Sequence, residues 1–453
     1  MSDELPASVP VAETGTATEA AAGTLESDQI DPAQLAGATH GPDEPDRLTK
    51  FLRDVLSGSA VLTVLAIVAA LVVGGILIAA TDPNVQAAGG YFLARPTDML
   101  LAIWNSVSGA YVAVFQGGVF DPNTGSFSTG INSLWSSLSF SVPLIAAGLG
   151  IAVGFRSGVF NIGGTGIILV SSAAAGYVGF AVSLPAGIHV IVAILAGLLA
   201  GGIWAFIVGV LKARTGAHEV IVTIMLNYVA LYLLDYLFTT GFLRVPGSTS
   251  PISPPEKDTA VFLTLLGRAP AVNIGFIIVI GIAVFCWWLL SRSSLGFKLR
   301  AVGENPRAAR VAGIRINRMY IYVLTISGVL VAFAGVYQVL GQITTGFDTG
   351  IDSSIGFTAI TVALLGRSKP GGVFAAGILF GILQGGSYTM QASQGVNVNV
   401  IPVIEAVIVL FLAAPPLVRA IFRTPEPGSK PKPKAKGPRT VAATPSAKAV
   451  TAK

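Results

Sequence analysis

The sequence predicts an all-α polytopic membrane protein with about ten transmembrane helices, some of them short or broken. Three observations carry this. Mean hydropathy is +0.73. Only 11% of the 453 residues are charged, against about a quarter in soluble domains. Apolar runs of the length needed to cross about 30 Å of hydrocarbon recur along the chain.

The predicted spans, in order, are 60–80, 139–155, 159–180, 184–211, 218–240, 273–290, 318–341, 352–366, 371–389 and 400–418. The stretch 98–118 is ambiguous, because Asn105, Ser106, Ser108 and Gln116 interrupt its apolar residues. Loop charge decides how it is counted. Lysine and arginine collect in short cytoplasmic loops. Ten spans put Arg47, Lys50, Arg53, Lys212, Arg214, the 291–317 loop, Arg367, Lys369 and Arg419 on one face. An eleventh span would divide them, so 98–118 is expected outside the cytoplasm as an amphipathic or re-entrant piece, and both termini inside. The 352–366 span is too short to cross as a straight helix. Interrupted spans of this kind occur where protein or a water-filled cavity surrounds the loose backbone, and they often line a transport route. A tight turn beside a tilted helix is the plainer reading.

Two tails flank the transmembrane domain, 47–421. Residues 1–46 hold ten acidic and no basic side chains, and residues 422–453 hold eight basic and one acidic. Both compositions predict disorder. Anionic lipid headgroups are the expected target of the basic tail, rather than a specific nucleic acid. The acidic start argues against a cleaved signal peptide. The one cysteine, Cys286, excludes a disulfide framework or cysteine metal site within the chain.

Candidate chemistry inside the spans is sparse. Glu219, Asp235 and Glu405 fall within or beside spans without an evident buried cation, and the histidines are His40, His189 and His218. A proton relay calls for paired acids or histidines deep in the bilayer, so ion-coupled transport is weakly supported. The segment "FNIGGTGIILV" places Asn161 and Thr165 at a glycine-rich helix start, and Asn227 falls mid-span in "TIMLNYVALYL". Each residue suits either helix packing or contact with a polar solute. No G-x-x-x-x-G-K-[ST] loop is present, so the chain lacks the standard nucleotide cradle. A membrane-embedded enzyme would need a reactive cluster, which the sequence does not offer. No cofactor or metal is expected.

The most charged internal stretch is "GFKLRAVGENPRAARVAGI". Within it, Pro306 suits a first helical position, Asn305 an N-cap and Gly313 a left-handed exit. Ala308 and Ala309 are expected to offer a small face to a partner. An ordinary positive-inside loop explains the arginines but not this spacing.

This stretch resembles the cytoplasmic coupling segment of ABC importer permeases of the branched-chain amino acid and ribose-type superfamily. The segments "FNIGGTGIILV", "LKARTGAHEVIVTIMLNYVALYL" and "GFTAITVALLGRSKPGGVFAAGILFG" are similar to the same family, in order, over about residues 139 to 418. The nearest likeness is to nucleoside and simple-sugar permeases that work with a basic-membrane-protein-type lipoprotein. The resemblance implies a bacterial plasma-membrane permease that is not itself an enzyme. Its implied partners are a separate or tandem ATPase, a second related permease and an extracytoplasmic solute-binding lipoprotein. Gly303, Glu304, Asn305, Pro306, Arg307, Ala308, Ala309, Arg310 and Gly313 would contact the ATPase. Asn161, Thr165, Asn227, Phe357, Thr358 and Thr361 are candidates for the solute pathway. A nucleoside is the expected solute, with a simple sugar as the alternative and an ion-coupled secondary transporter behind both.

Overall fold

The computed structural model describes residues 59–266 and 272–422; the two tails lie outside this range. Its helices are α1 (Ser59–Thr81), α2 (Pro83–Gly89), α3 (Pro96–Gly118), α4 (Phe127–Gly130), α5 (Asn132–Arg156), α6 (Gly164–Ala181), α7 (Ile188–Thr215) and α8 (Glu219–Thr239). After a loop come α9 (Ile274–Arg292), α10 (Ser294–Glu304), α11 (Pro306–Val311), α12 (Ile316–Tyr337), α13 (Ile355–Leu365), α14 (Pro370–Gln394), α15 (Val400–Ala413) and α16 (Pro415–Phe422). Among the described residues, nine helices are long and apolar enough to cross a membrane. The shorter α13 and α15 complete the bundle. A two-stranded ribbon pairs Thr264–Leu266 with Val272–Asn273 in the long loop before α9.

Close approaches between helices fix their directions. Ile145 meets Gly377 and Ser141 meets Gly381, so α5 is antiparallel to α14. Val114 meets Gly386 and Gly109 meets Gln394, so α3 is antiparallel to α14 as well. Hence α3 and α5 run the same way. The Ser137 hydroxyl donates to the Gly118 carbonyl at 2.7 Å, tying the end of one to the start of the other. Taken together they make one interrupted descent. The stretch expected outside the cytoplasm as an amphipathic or re-entrant piece is a 23-residue helix packed along α14. Because it shares its direction with α5, it adds no reversal of the chain.

The other senses follow in the same way. Gly209 meets Ile321 and Gly197 meets Val336, setting α7 antiparallel to α12. Ser171 meets Gly197 and Ile167 meets Gly201, whereas Gly163 meets Thr223 and Gly166 meets Asn227, so α6 opposes α7 and parallels α8. Gly74 meets Ile404, and Ala66 and Ala69 cluster with Phe411, so α1 and α15 are antiparallel. The passes therefore alternate in direction, and the start of α1 lies at the same end of the bundle as the end of α15.

Small residues make these crossings possible. A Cβ on Gly201 would meet the Ala332 methyl at 2.5 Å. Lipid tails are as apolar as leucine, so association rests on such close backbone approach rather than on apolar burial. The buried core centres on α5, whose residues from Ser141 to Gly154 are all buried, and on α12.

Three helices on this axis are irregular. Pro143 lies inside α5, where it removes a backbone donor. The end of α12 widens into a π turn over Gln338–Gln342, a distortion common at functional sites. Ser353 and Ser354, with φ of 45° and 63°, precede the short α13, and Arg367 and Ser368, with φ of 53° and 51°, follow it. The span predicted over 400–418 breaks at Ala414 into α15 and α16. Ala414 precedes a proline and so disfavours helix geometry.

Candidate solute cavity and coupling surface

The three irregularities meet at one cavity of about 230 Å³. Its walls are Phe140, Pro143 and Leu144 of α5, Gln338 and Gln342 of the π turn, Ile343, Ser353, Ile355 and Thr358 at the head of α13, and Gln384 and Tyr388 of α14. Phe140 and Tyr388 stack with centroids 5.7 Å apart. No lining residue is charged, and the polar atoms come from amides and hydroxyls. A pocket mixing aromatic faces with a few neutral polar groups suits a small uncharged ring-bearing solute. A second cavity of about 240 Å³, between α6, α7 and α8, is walled by apolar side chains such as Leu169, Leu234 and Phe242.

Of the six pathway candidates, Thr358 lines the first cavity. Its hydroxyl also lies 3.4 Å from Glu405 Oε2. Phe357, one position earlier on α13, is exposed, and Thr361 is buried one turn further along. The remaining three sit where the chain uses their hydrogen bonds. Asn161 Nδ2 donates to Ser327 Oγ at 3.1 Å, and its Oδ1 accepts from Gly163 N at 3.0 Å. Asn227 Oδ1 accepts from Gly166 N at 2.9 Å, and its Nδ2 donates to the Ile162 carbonyl at 3.0 Å. It thus holds the first turn of α6, whose N–H groups have no intrahelical acceptor. Thr165 Oγ1 donates to Asp352 Oδ2 at 3.1 Å, while Asp352 Oδ1 accepts from Gly356 N.

Glu219 is not without a cation, contrary to the sequence reading. Lys212 Nζ lies 2.5 Å from its Oε2 and 4.7 Å from the centre of the Tyr320 ring. The turn between α7 and α8 brings the two charges together, seven residues apart.

Sequence reasoning missed Phe140, Gln338, Gln342, Ser353, Gln384 and Tyr388. A signal existed: "YQVLGQ" and "LQGGSY" carry glutamines inside apolar runs. The π turn that aligns the first pair has no local signature.

At the opposite end from the ribbon, α10 and α11 form a handle. Ser293 caps α10 by accepting from Gly296 N at 2.8 Å. Asn305 caps α11 by accepting from Ala308 N at 3.1 Å, Pro306 takes the first helical position, and Gly313 exits at φ +81°. The faces differ from the expected ones. Ala309 is buried against the chain's own bundle, while Ala308, Arg307, Arg310 and Val311 are exposed. An α-helix turns by about 100° per residue, so Ala308 and Ala309 do not share a face. Gly303 packs on the loop after α5, where an added Cβ would meet the Arg156 carbonyl oxygen at 2.7 Å.

An alternating helical bundle with a neutral central cavity and a basic helical handle defines a membrane transport permease. The chain belongs to the family described as "Branched-chain amino acid transport system / permease component", which matches residues 133–413. It is 35% identical over 308 residues to the guanosine ABC transporter permease protein NupP of Bacillus subtilis, covering 66% of this chain and 88% of that one. It is 32% identical to the glucose ABC transporter permease protein TsgB13 of Haloferax volcanii, covering 60% and 73%. It is also 32% identical to the nucleoside ABC transporter permease protein NupB of Lactococcus lactis, covering 62% and 79%. No solved structure matches it. The chain is therefore a multi-pass ABC-importer permease subunit, a transport protein and not an enzyme. Family membership implies the general importer architecture, in which an ATPase subunit supplies the drive.

Proposed function

We propose that the subunit passes nucleosides inward across a bacterial plasma membrane, through the cavity between α5, the π turn, α13 and α14. The observation that carries this reading is the lining itself: a stacked Phe140–Tyr388 pair facing neutral amides and hydroxyls. A nucleobase has two π faces for such a wall and a polar edge for the amides. Similarity to guanosine and nucleoside permeases supports the choice. Similarity to a glucose permease keeps a simple sugar as the second reading.

In this reading the handle faces the cytoplasm and docks an ATPase subunit, with both termini on the same side. The lysines and arginines of the short loops support that orientation: Arg156, Lys212, Arg214, Arg292, Lys298, Arg300, Arg307, Arg310, Arg315, Arg367 and Lys369 all fall at the handle's end. A second related permease and an external solute-binding lipoprotein complete the assembly. The test is uptake of labelled uridine, guanosine and glucose in cells that express the chain with its partner subunits. Saturable nucleoside uptake that glucose does not compete supports the reading. Saturable glucose uptake indifferent to nucleosides overturns it.

A further inference from the structure

Two of the few buried side-chain atoms left without a partner among the described residues belong to the same cavity wall. They are Gln338 Oε1 and Gln342 Nε2. Gln338 is 98% buried, since its exposure is 2%. Its Nε2 donates to the Ile351 carbonyl at 3.1 Å, which fixes the amide orientation that is otherwise ambiguous. The oxygen is then the free end. Both glutamines sit on the π turn, four residues apart. Gln338 therefore carries a free acceptor and Gln342 an unpaired amide nitrogen, both on residues that line the cavity with the stacked Phe140 and Tyr388 rings.

Buried polar groups are almost always satisfied, and leaving one unsatisfied is costly. We propose that Gln338 and Gln342 read the edge of the solute's heterocycle, selecting a ring that carries a hydrogen-bond donor and an acceptor side by side. In uridine these are the N3–H and the neighbouring carbonyl. The Gln338 oxygen accepts from the N–H and the Gln342 amide donates to the carbonyl. The ribose plays no part in this contact. The inference rests on the reading that the cavity holds the solute.

The experiment measures initial uptake of labelled uridine and labelled N3-methyluridine, which lacks the donor, in cells expressing the complete transporter. Wild type is compared with Gln338→Leu and Gln338→Met, which both remove the acceptor, with membrane abundance measured by immunoblot. Any binding protein is the same throughout, so a change in the uridine to N3-methyluridine ratio reports on this chain. Losing one buried hydrogen bond is expected to reduce that ratio about fivefold or more in both variants. A ratio unchanged in both variants overturns the inference, even if total uptake falls, because the glutamine then serves only the fold or binds water. Wild-type cells that take up glucose and no nucleoside overturn the solute reading itself, and this inference with it.

Discussion

Val311 and Ala309 lie two residues apart on α11 yet face opposite environments: Val311 is 91% exposed and Ala309 4%. This separates docking from folding. Val311→Asp removes an apolar contact that the chain does not use itself, so its effect on the isolated subunit should stay within about 0.5 kcal/mol, as for other surface substitutions. If an ATPase subunit covers the handle, burying a valine side chain contributes about 1.5–3 kcal/mol to that contact. A buried carboxylate in its place adds a desolvation cost. Loss of the valine term alone weakens association by about tenfold or more. The assay is co-purification of the ATPase with the tagged subunit, read beside the subunit's own melting temperature in detergent and solute uptake. We expect an unchanged melting temperature, little ATPase recovered and uptake largely lost. Ala309→Trp should lower the melting temperature instead, because that position packs inward. Normal ATPase recovery and normal uptake in Val311→Asp would refute the docking argument, since its most exposed apolar side chain would then touch nothing.

Asn227→Leu keeps the volume but strands Gly166 N and the Ile162 carbonyl, so stability should fall by about 1–3 kcal/mol, read as a lower melting temperature in detergent. Burial pushes the Glu256 carboxyl of the loop after α8 from 4.5 up to about 8. A raised carboxyl favours the folded state while protonated, so stability should fall as pH rises from about 4.5 to 8; Glu256→Gln should flatten that decline and stabilise most at pH 8, checked by melting curves across the range. Gly303→Val should reduce uptake while ATPase still co-purifies, because its side chain would strike the Arg156 carbonyl rather than the exposed handle.

The passes and the handle's caps are legible in the sequence because each depends on local information. Apolar length marks a span, and Asn305, Pro306 and Gly313 mark one short helix by the backbone states they favour. Which face of that helix turns inward is not local. It depends on how α10 and α12 hold it, so Ala308 and Ala309 could not be told apart. The cavity was legible in part. The short span at 352–366 pointed to an interrupted helix and led to Thr358, but its companions Phe140, Gln338 and Tyr388 come from three other segments that only packing brings together. Asn161 and Asn227 show the reverse case. A polar residue within a span signals a demand for hydrogen bonds, and here a broken backbone meets that demand before any solute could.

The same break in the backbone connects the two proposed surfaces. Gly303 of the handle rests on Arg156, Ser157 and Gly158 at the end of α5. Arg156 Nε donates in turn to the Ser368 carbonyl at 3.1 Å. Ser368 belongs to the left-handed pair that closes α13, and the pair that opens it, Ser353 and Ser354, stands at the cavity. Non-glycine residues in that region carry backbone strain that persists only where surrounding structure enforces it. Helix α13 is thus a short rigid piece held between two constrained joints, one against the handle's support and one beside Thr358. A push on the handle has a contiguous path to the cavity wall, through one glycine contact and one hydrogen bond, without crossing the tightly packed α7–α12 interface.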